Sequence, residues 1–247
     1  RSSLAACDDL GRTYCRAVQL MAKFHIREVE GMRQVSIAIE DETIRAARGA
    51  LSNLSGSIEF TPRLPGLRDM WRSIFTSESR IRPFYRGSGQ IHLQPSLRGY
   101  HLLDVVAGEH WILEPGVYWA SEASVNLGFT RDPFWSSMWA GDGFLAWKTT
   151  LAGDGRVAIN APGPVEEVVV NDEEIRVQGR LVLGRTSGLR FRSVRSARFP
   201  RNLISGQSRM RVYYGTGKAL VAWTPYWNEH LYQRMTGGES ITESLLQ

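Results

Sequence analysis

The stretch Gly141–Pro164, GDGFLAWKTTLAGDGRVAINAPGP, decides the reading of the fold. Two apolar runs, residues 144–149 and 156–161, flank Gly153-Asp154-Gly155. Because glycine reaches positive φ without steric cost, the pattern predicts a β-hairpin with the Gly-x-Gly at its turn. The same arrangement occurs around Gly87-Ser88-Gly89, between residues 77–82 and 90–93. It occurs again around Gly215-Thr216-Gly217, between residues 206–212 and 219–223. The turns lie 66 and 62 residues apart.

A second landmark keeps step with the first. An acidic residue precedes a glycine by seven positions at Glu42/Gly49, Glu109/Gly116 and Asp172/Gly179, at intervals of 67 and 63. Between these landmarks apolar residues alternate with polar ones, as in half-buried strands. The expected strands are 35–39, 42–49 and 57–60, then 101–106, 109–116 and 124–129, then 168–170, 172–179 and 189–192. Two landmarks sharing one period predict an all-β domain over 35–225, made of three pseudo-repeats at about 35–95, 100–164 and 165–225.

Outside that domain the pattern changes. Leu4, Cys7, Leu10, Tyr14, Val18 and Met21 follow helical spacing, which predicts an amphipathic helix over 4–24 within an N-terminal lead-in, 1–34. Residues 226–247 leave the β pattern and read as a helical or irregular tail with a turn at Gly237-Gly238. Each repeat also carries a proline-marked insertion with apolar residues at helical spacing: 62–75, 132–139 and 200–204. Trp71, Phe75, Phe134, Trp135 and Trp139 make the first two aromatic. They read either as plugs for an open end of the β-core or as a patch for a partner or membrane surface.

The net charge is +5, unevenly spread. From Ile175 to Asn228 there is no Asp or Glu, while eleven basic residues occur: Arg176, Arg180, Arg185, Arg190, Arg192, Arg195, Arg198, Arg201, Arg209, Arg211 and Lys218. An acidic body with a basic final third points to a polyanionic partner. Alternation with Leu189 and Phe191 predicts that Arg190 and Arg192 share the outer face of a strand. The same reading puts Arg209 and Arg211 outward around Met210, and Arg80 and Arg82 outward around Ile81. Arginine's planar fork fits phosphate, so Arg185, Arg190, Arg192, Arg195, Arg198, Arg201, Arg209 and Arg211 form a candidate nucleic-acid or polyanion site. Ribosomal or other RNA, an acidic protein surface and anionic lipid are the partners that chemistry admits.

Catalysis finds little footing. His25, His92, His101, His110 and His230 are scattered, and no HExxH, GxSxG or Walker A pattern occurs. Neither a metal nor a cofactor is expected. Cys7 and Cys15 read as two reduced intracellular thiols, too far apart on a helix for a disulfide. A first residue Arg1 reads as a processed or trimmed terminus, and Arg1-Ser2-Ser3 fits the remnant of a removed organelle transit peptide. Asp8-Asp9 stand against that fit, since transit sequences avoid acids.

The three-part β organisation, the Gly-x-Gly motifs and Ala161-Pro162-Gly163-Pro164 ahead of an acid-valine strand resemble the altered-inheritance-of-mitochondria 24 family. The resemblance spans roughly Val35 to Pro225. It implies three repeats, each similar to the subunit of the tryptophan RNA-binding attenuation protein, packed as a β-prism of double-stranded β-helix type. It also implies a mitochondrial location, in the matrix or at the inner membrane. No catalytic residue, tryptophan pocket or RNA contact carries over from it. The expected role is a non-catalytic β-scaffold, a structural or assembly subunit of a larger complex that docks through the arginine-rich third repeat, with a mitochondrial ribosome as one RNA neighbour. The alternatives are a peripheral inner-membrane organiser of cristae architecture, touching through Trp71, Trp135 and Trp139, and a small-ligand-binding protein.

Overall fold

The computed structural model describes residues 22–61, 82–96, 99–130, 148–178, 181–195 and 209–223. Strands occupy Lys23–Val29 (β1), Met32–Ala46 (β2), Leu51–Thr61 (β3), Phe84–Leu93 (β4), Tyr100–Val105 (β5), His110–Leu113 (β6) and Tyr118–Glu122 (β7). They continue with Asn126–Thr130 (β8), Lys148–Ala152 (β9), Gly155–Asn160 (β10), Val165–Gln178 (β11), Val182–Thr186 (β12), Leu189–Arg195 (β13) and Arg209–Ala222 (β14). Two antiparallel seven-stranded sheets result. One has the order β3-β4-β2-β7-β10-β5, with β1 added on β2; the other has β11-β14-β12-β6-β9-β8, with β13 added on β14.

One pairing habit recurs along the chain. β4 lies between β2 and β3. β10 lies between β5 and β7, and β9 between β6 and β8. β14 lies between β11 and the pair β12 and β13. The last strand of each group is central each time.

The Gly-x-Gly motifs are not hairpin turns. Gly87-Ser88-Gly89 and Gly215-Thr216-Gly217 lie inside the continuous strands β4 and β14. Gly153-Asp154 joins β9 to β10, which belong to different sheets, so the chain crosses between sheets there. The glycines are needed because neighbouring backbone comes too close for a side chain. A Cβ on Gly87 would lie 2.0 Å from the Ser57 carbonyl oxygen, and one on Gly89 2.1 Å from that of Ser55. A central strand that bends sharply between two partners leaves no room for a branch.

The acidic landmarks mark the partner strand's adjustment to that bend. In β2 the register slips between Ile39 and Glu42, opposite Gly89 and Gly87, and Asp41 takes a φ of 58°. In β11 it slips between Asn171 and Glu173, opposite Thr216 and Gly215, and Asp172 takes 57°. Each is a β-bulge, whose extra residue flips the inward parity of the strand. Thus Val35, Ile37 and Ile39 are buried before the bulge of β2, and Ile44 and Ala46 after it. Strand pairs expected as 35–39 plus 42–49, and 168–170 plus 172–179, are therefore single bulged strands. Gly49 and Gly116 do sit in the turns that follow, both with positive φ.

β1 replaces the end of the expected helix. Phe24 and Ile26 alternate inward, and Glu30-Gly31, with φ of 51° and 75°, make a two-residue hairpin to β2. The remainder of that helix (4–21), the proline-marked segments and the tail lie outside the described residues.

The core forms three clusters. The first lies under β1, β2 and β4, the third under β11, β13 and β14. The middle cluster joins the sheets, bringing Leu103, Val157 and Ile159 against Trp111, Leu151, Leu183 and Leu220. Each such buried side chain contributes about 1.5–3 kcal/mol.

Candidate docking face and buried charge cluster

The arginines of the third group divide between two environments. On β13, Leu189 and Phe191 are buried while Arg190 and Arg192 are exposed, as alternation requires. On β14 the expectation fails. Arg211 is only 3% exposed and lies on the same face as buried Tyr213, whose ring packs on Phe191 across the register. Arg185 is 6% exposed and donates from Nε to the Leu189 carbonyl at 3.1 Å. These two arginines therefore do not belong to an outer basic face. The reason is that β14 is central and β12 buried throughout, so both of their faces are covered. Arg195 ends β13 opposite Arg209 at the start of β14. Arg198, Arg201, Trp71, Phe75, Phe134, Trp135 and Trp139 lie outside the described residues.

Phe191 is the centre of the inner cluster. Arg185 Cζ is 4.9 Å from its ring centroid, Lys148 Nζ 5.2 Å and Arg211 Cζ 6.0 Å. Cations are attracted to the negative face of an aromatic ring, more strongly when water is excluded. Lys148, 1% exposed at its side chain, also donates to Glu114 Oε1 at 2.7 Å, and Arg211 reaches the same oxygen at 3.8 Å. Burial, then the Glu114 charge, pushes the Tyr213 phenol up to about 12, so it stays protonated throughout the physiological range. Arg82 forms a second such site, 4.4 Å from the Tyr118 ring and 4.9 Å from that of Phe129, and it donates to Thr149 Oγ1. Its guanidinium faces inward, against the outward expectation.

The outer face carries both signs of charge. Arg192 meets Glu174 at 2.6 Å, and Arg176 lies 3.8 Å from the same carboxylate. Lys218 bridges Glu109 at 2.8 Å and Glu167 at 3.2 Å. That hydrogen bond from Lys218 holds the Glu109 carboxyl below its usual range and raises Lys218 in turn. β11 brings Glu166, Glu167, Asp172, Glu173 and Glu174, all exposed, alongside the basic strands. The acid-free block of sequence is thus flanked by acids in space.

Sequence reasoning missed Glu122. Its carboxylate is 8% exposed at the seam where Ile44 of β2 pairs with Glu122 of β7. Oε2 accepts the Arg156 N–H at 3.2 Å, beside Gly155. Thr186 does the equivalent job on β12, its Oγ1 accepting the Lys218 N–H at 2.9 Å beside Gly217. Glu122 and Thr186 are 64 residues apart, close to the repeat interval, which is the signal that could have found them. Glu122 has one oxygen more than the job needs, and Oε1 has no hydrogen-bond partner among the described residues. Burial raises its pKa, and the pKa of Glu42 is raised by burial and by the Glu122 charge. A carboxyl raised on folding contributes stability below its unfolded pKa that is lost as pH rises through the folded value. Glu122→Gln, which mimics the neutral form, is expected to raise Tm at pH 7.5 and to leave it nearly unchanged near pH 4. Thermal melts across that range measure it, and a Tm difference independent of pH would contradict it.

Among the described residues no group of three or more His, Cys, Asp or Glu is placed to hold a metal, and no helix is long and apolar enough to cross a membrane. The architecture defines an all-β protein of two antiparallel sheets joined through a common core. The chain belongs to the family described as Mitochondrial biogenesis AIM24, whose model matches residues 24–223. Its role accordingly relates to mitochondrial biogenesis, and its setting is mitochondrial. The fold is similar to the crystal structure of a Streptococcus pyogenes protein, with 15% identity and a TM-score of 0.64 over 87% of this chain and 99% of that one. No curated protein matches the chain.

Proposed function

We propose that the chain is a non-catalytic β-scaffold that serves mitochondrial biogenesis as a structural or assembly subunit of a larger complex. In this reading β2–β4, β5–β10 and β11–β14 are three pseudo-repeats, each like the subunit of the tryptophan RNA-binding attenuation protein, packed around a pseudo-threefold axis as a β-prism. The recurrent central last strand supports it. Docking occurs through the outer face of the third repeat, where Arg190 and Arg192 stand beside the acids of β11.

The observation that carries the choice of partner is the pairing of that face. Arg192 is engaged by Glu174, and Lys218 by Glu109 and Glu167. A phosphate backbone laid there would meet Glu167 and Glu174 of β11 as well as the arginines. A protein surface of alternating charge fits better, because both signs then find partners. RNA and anionic lipid become outcomes of the test. Tagged chain is purified from its native cells and its co-purifying proteins are quantified. Arg190→Glu with Arg192→Glu is expected to remove them at least tenfold, and nuclease treatment to change nothing. Loss on nuclease treatment would make RNA the partner, recovery only with membranes would make it lipid, and indifference to the double reversal would exclude this face.

A further inference from the structure

The two long edges of the sheets differ in kind. β11 closes one sheet with five acids against Arg176, so a second β11 beside it would be repelled. Among the described residues β3 closes the other, with eleven residues, LSNLSGSIEFT, in which Glu59 is the one charge. Its other side is paired with β4 from Asn53 to Thr61, after a register shift that follows Leu51. Leu54, Gly56, Ile58 and Phe60 stand opposite Ile91, Gly89, Gly87 and Tyr85, which places them on the face of β4 that carries the core. There the core layer stops half covered, with Leu54 38% and Phe60 50% exposed. Long, neutral edges are what monomeric proteins avoid, by lysine, proline or a covering segment. β3 itself contains neither lysine nor proline.

We propose that β3 pairs antiparallel with β3 of a second copy of this chain, about a twofold axis through Gly56. A twofold axis perpendicular to the sheet keeps each face on its own side, so only same-parity residues can meet. Gly56, at a φ of 99°, is where β3 bends against Ser88 and Gly89, and an axis at the bend superposes the bends of the two copies. This register sets Leu54 opposite Ile58 twice, Ser55 opposite Ser57, and Asn53 opposite Glu59. The apolar row is continued and covered, and no like charges meet, since each Glu59 faces a neutral amide and already lies across from Arg86 in its own sheet. Charge selects the occupant: β3 is compatible with itself as β11 is not. The inference is independent of the docking face on the third repeat.

The test is the solution mass of the full chain with Cys7→Ser and Cys15→Ser, followed by sedimentation at micromolar concentration. The expected mass is twice 27.8 kDa, and Leu54→Lys with Ser55→Lys is expected to return it to 27.8 kDa with the circular dichroism of a folded β-protein retained and a Tm that no longer depends on concentration. In the same background, Ser55→Cys with Ser57→Cys is expected to give a disulfide-linked dimer on mild oxidation, and either cysteine alone not to. A chain that stays at 27.8 kDa up to 100-fold higher concentration overturns the proposal. So does a dimer that survives the lysines or fails to cross-link, which would place the contact elsewhere, and so does capture of another protein's strand by a monomer.

Discussion

Lys148→Ala is expected to cost the fold about 3 kcal/mol, which for a chain of this size is a fall of roughly 6–12 °C in Tm. The loss has two parts. The ammonium, buried to 1% exposure, is the 2.7 Å partner of Glu114, and without it that carboxylate keeps, among the described residues, the longer 3.8 Å approach of Arg211. The four-carbon stem is also fully buried, and its removal leaves a cavity. Lys148→Met separates these parts, since it keeps most of the volume and removes the charge. Replacing one member of a buried pair leaves the other uncompensated, so methionine should recover the packing part alone. Because the pair is shielded from solvent, the loss should persist in high salt, unlike that of a surface pair. Thermal melts of both variants in low and high salt are the measurement. A Tm within a degree of the parent for Lys148→Ala would show that the lysine is not buried against Glu114.

Gly87→Ala is expected to destabilise by more than about 3 kcal/mol, because backbone strain and a backbone clash coincide. The added Cβ would lie 2.0 Å from the Ser57 carbonyl oxygen, and no rotamer change can move it. β3 and β4 would have to separate at their common bend. Gly49→Ala is the control. Gly49 has a φ of 75° with nothing within 4 Å of the added carbon, so only the left-handed penalty of about 1–2 kcal/mol applies. Asparagine sharpens the contrast. It is tolerated where a turn needs positive φ, so it should be accepted at Gly49, but it carries the same Cβ and should fail at Gly87. Urea melts give the values. Gly87→Asn within 1 kcal/mol of the parent would restore the hairpin reading of the motif.

That motif shows where sequence is informative and where it stops. Period-two alternation placed strands over most of the β domain, and the recurring landmarks located the bends. What glycine is needed for there was not legible, because a turn and a crowded bend both require a residue without a Cβ. The difference lies in the partner strand, as when Ser55 and Ser57 approach from β3. The bulges at Asp41 and Asp172 were hidden for a related reason. An extra residue is defined only against the strand opposite it.

The arginines divide in the same way. Arg190 and Arg192 alternate with residues that are plainly apolar, so their outward direction could be read. Arg211 alternates too, but β14 is covered on both sides, where Val212 and Tyr213 are buried in succession. Alternation then loses its meaning. Nor could composition reveal that the acids of β11 flank the basic block, since pairing across β14 brings them there. Family membership was legible, because it rests on the order and spacing of landmarks.

The subunit role is tested most directly by the native mass of the particle that holds this chain. Tagged protein released gently from native cells should sediment well above twice 27.8 kDa, with the same proteins at constant ratio in every fraction, and Arg190→Glu with Arg192→Glu should shift it down to the mass of the free chain or its dimer. Native protein found at the free mass, with no constant companions, would contradict it.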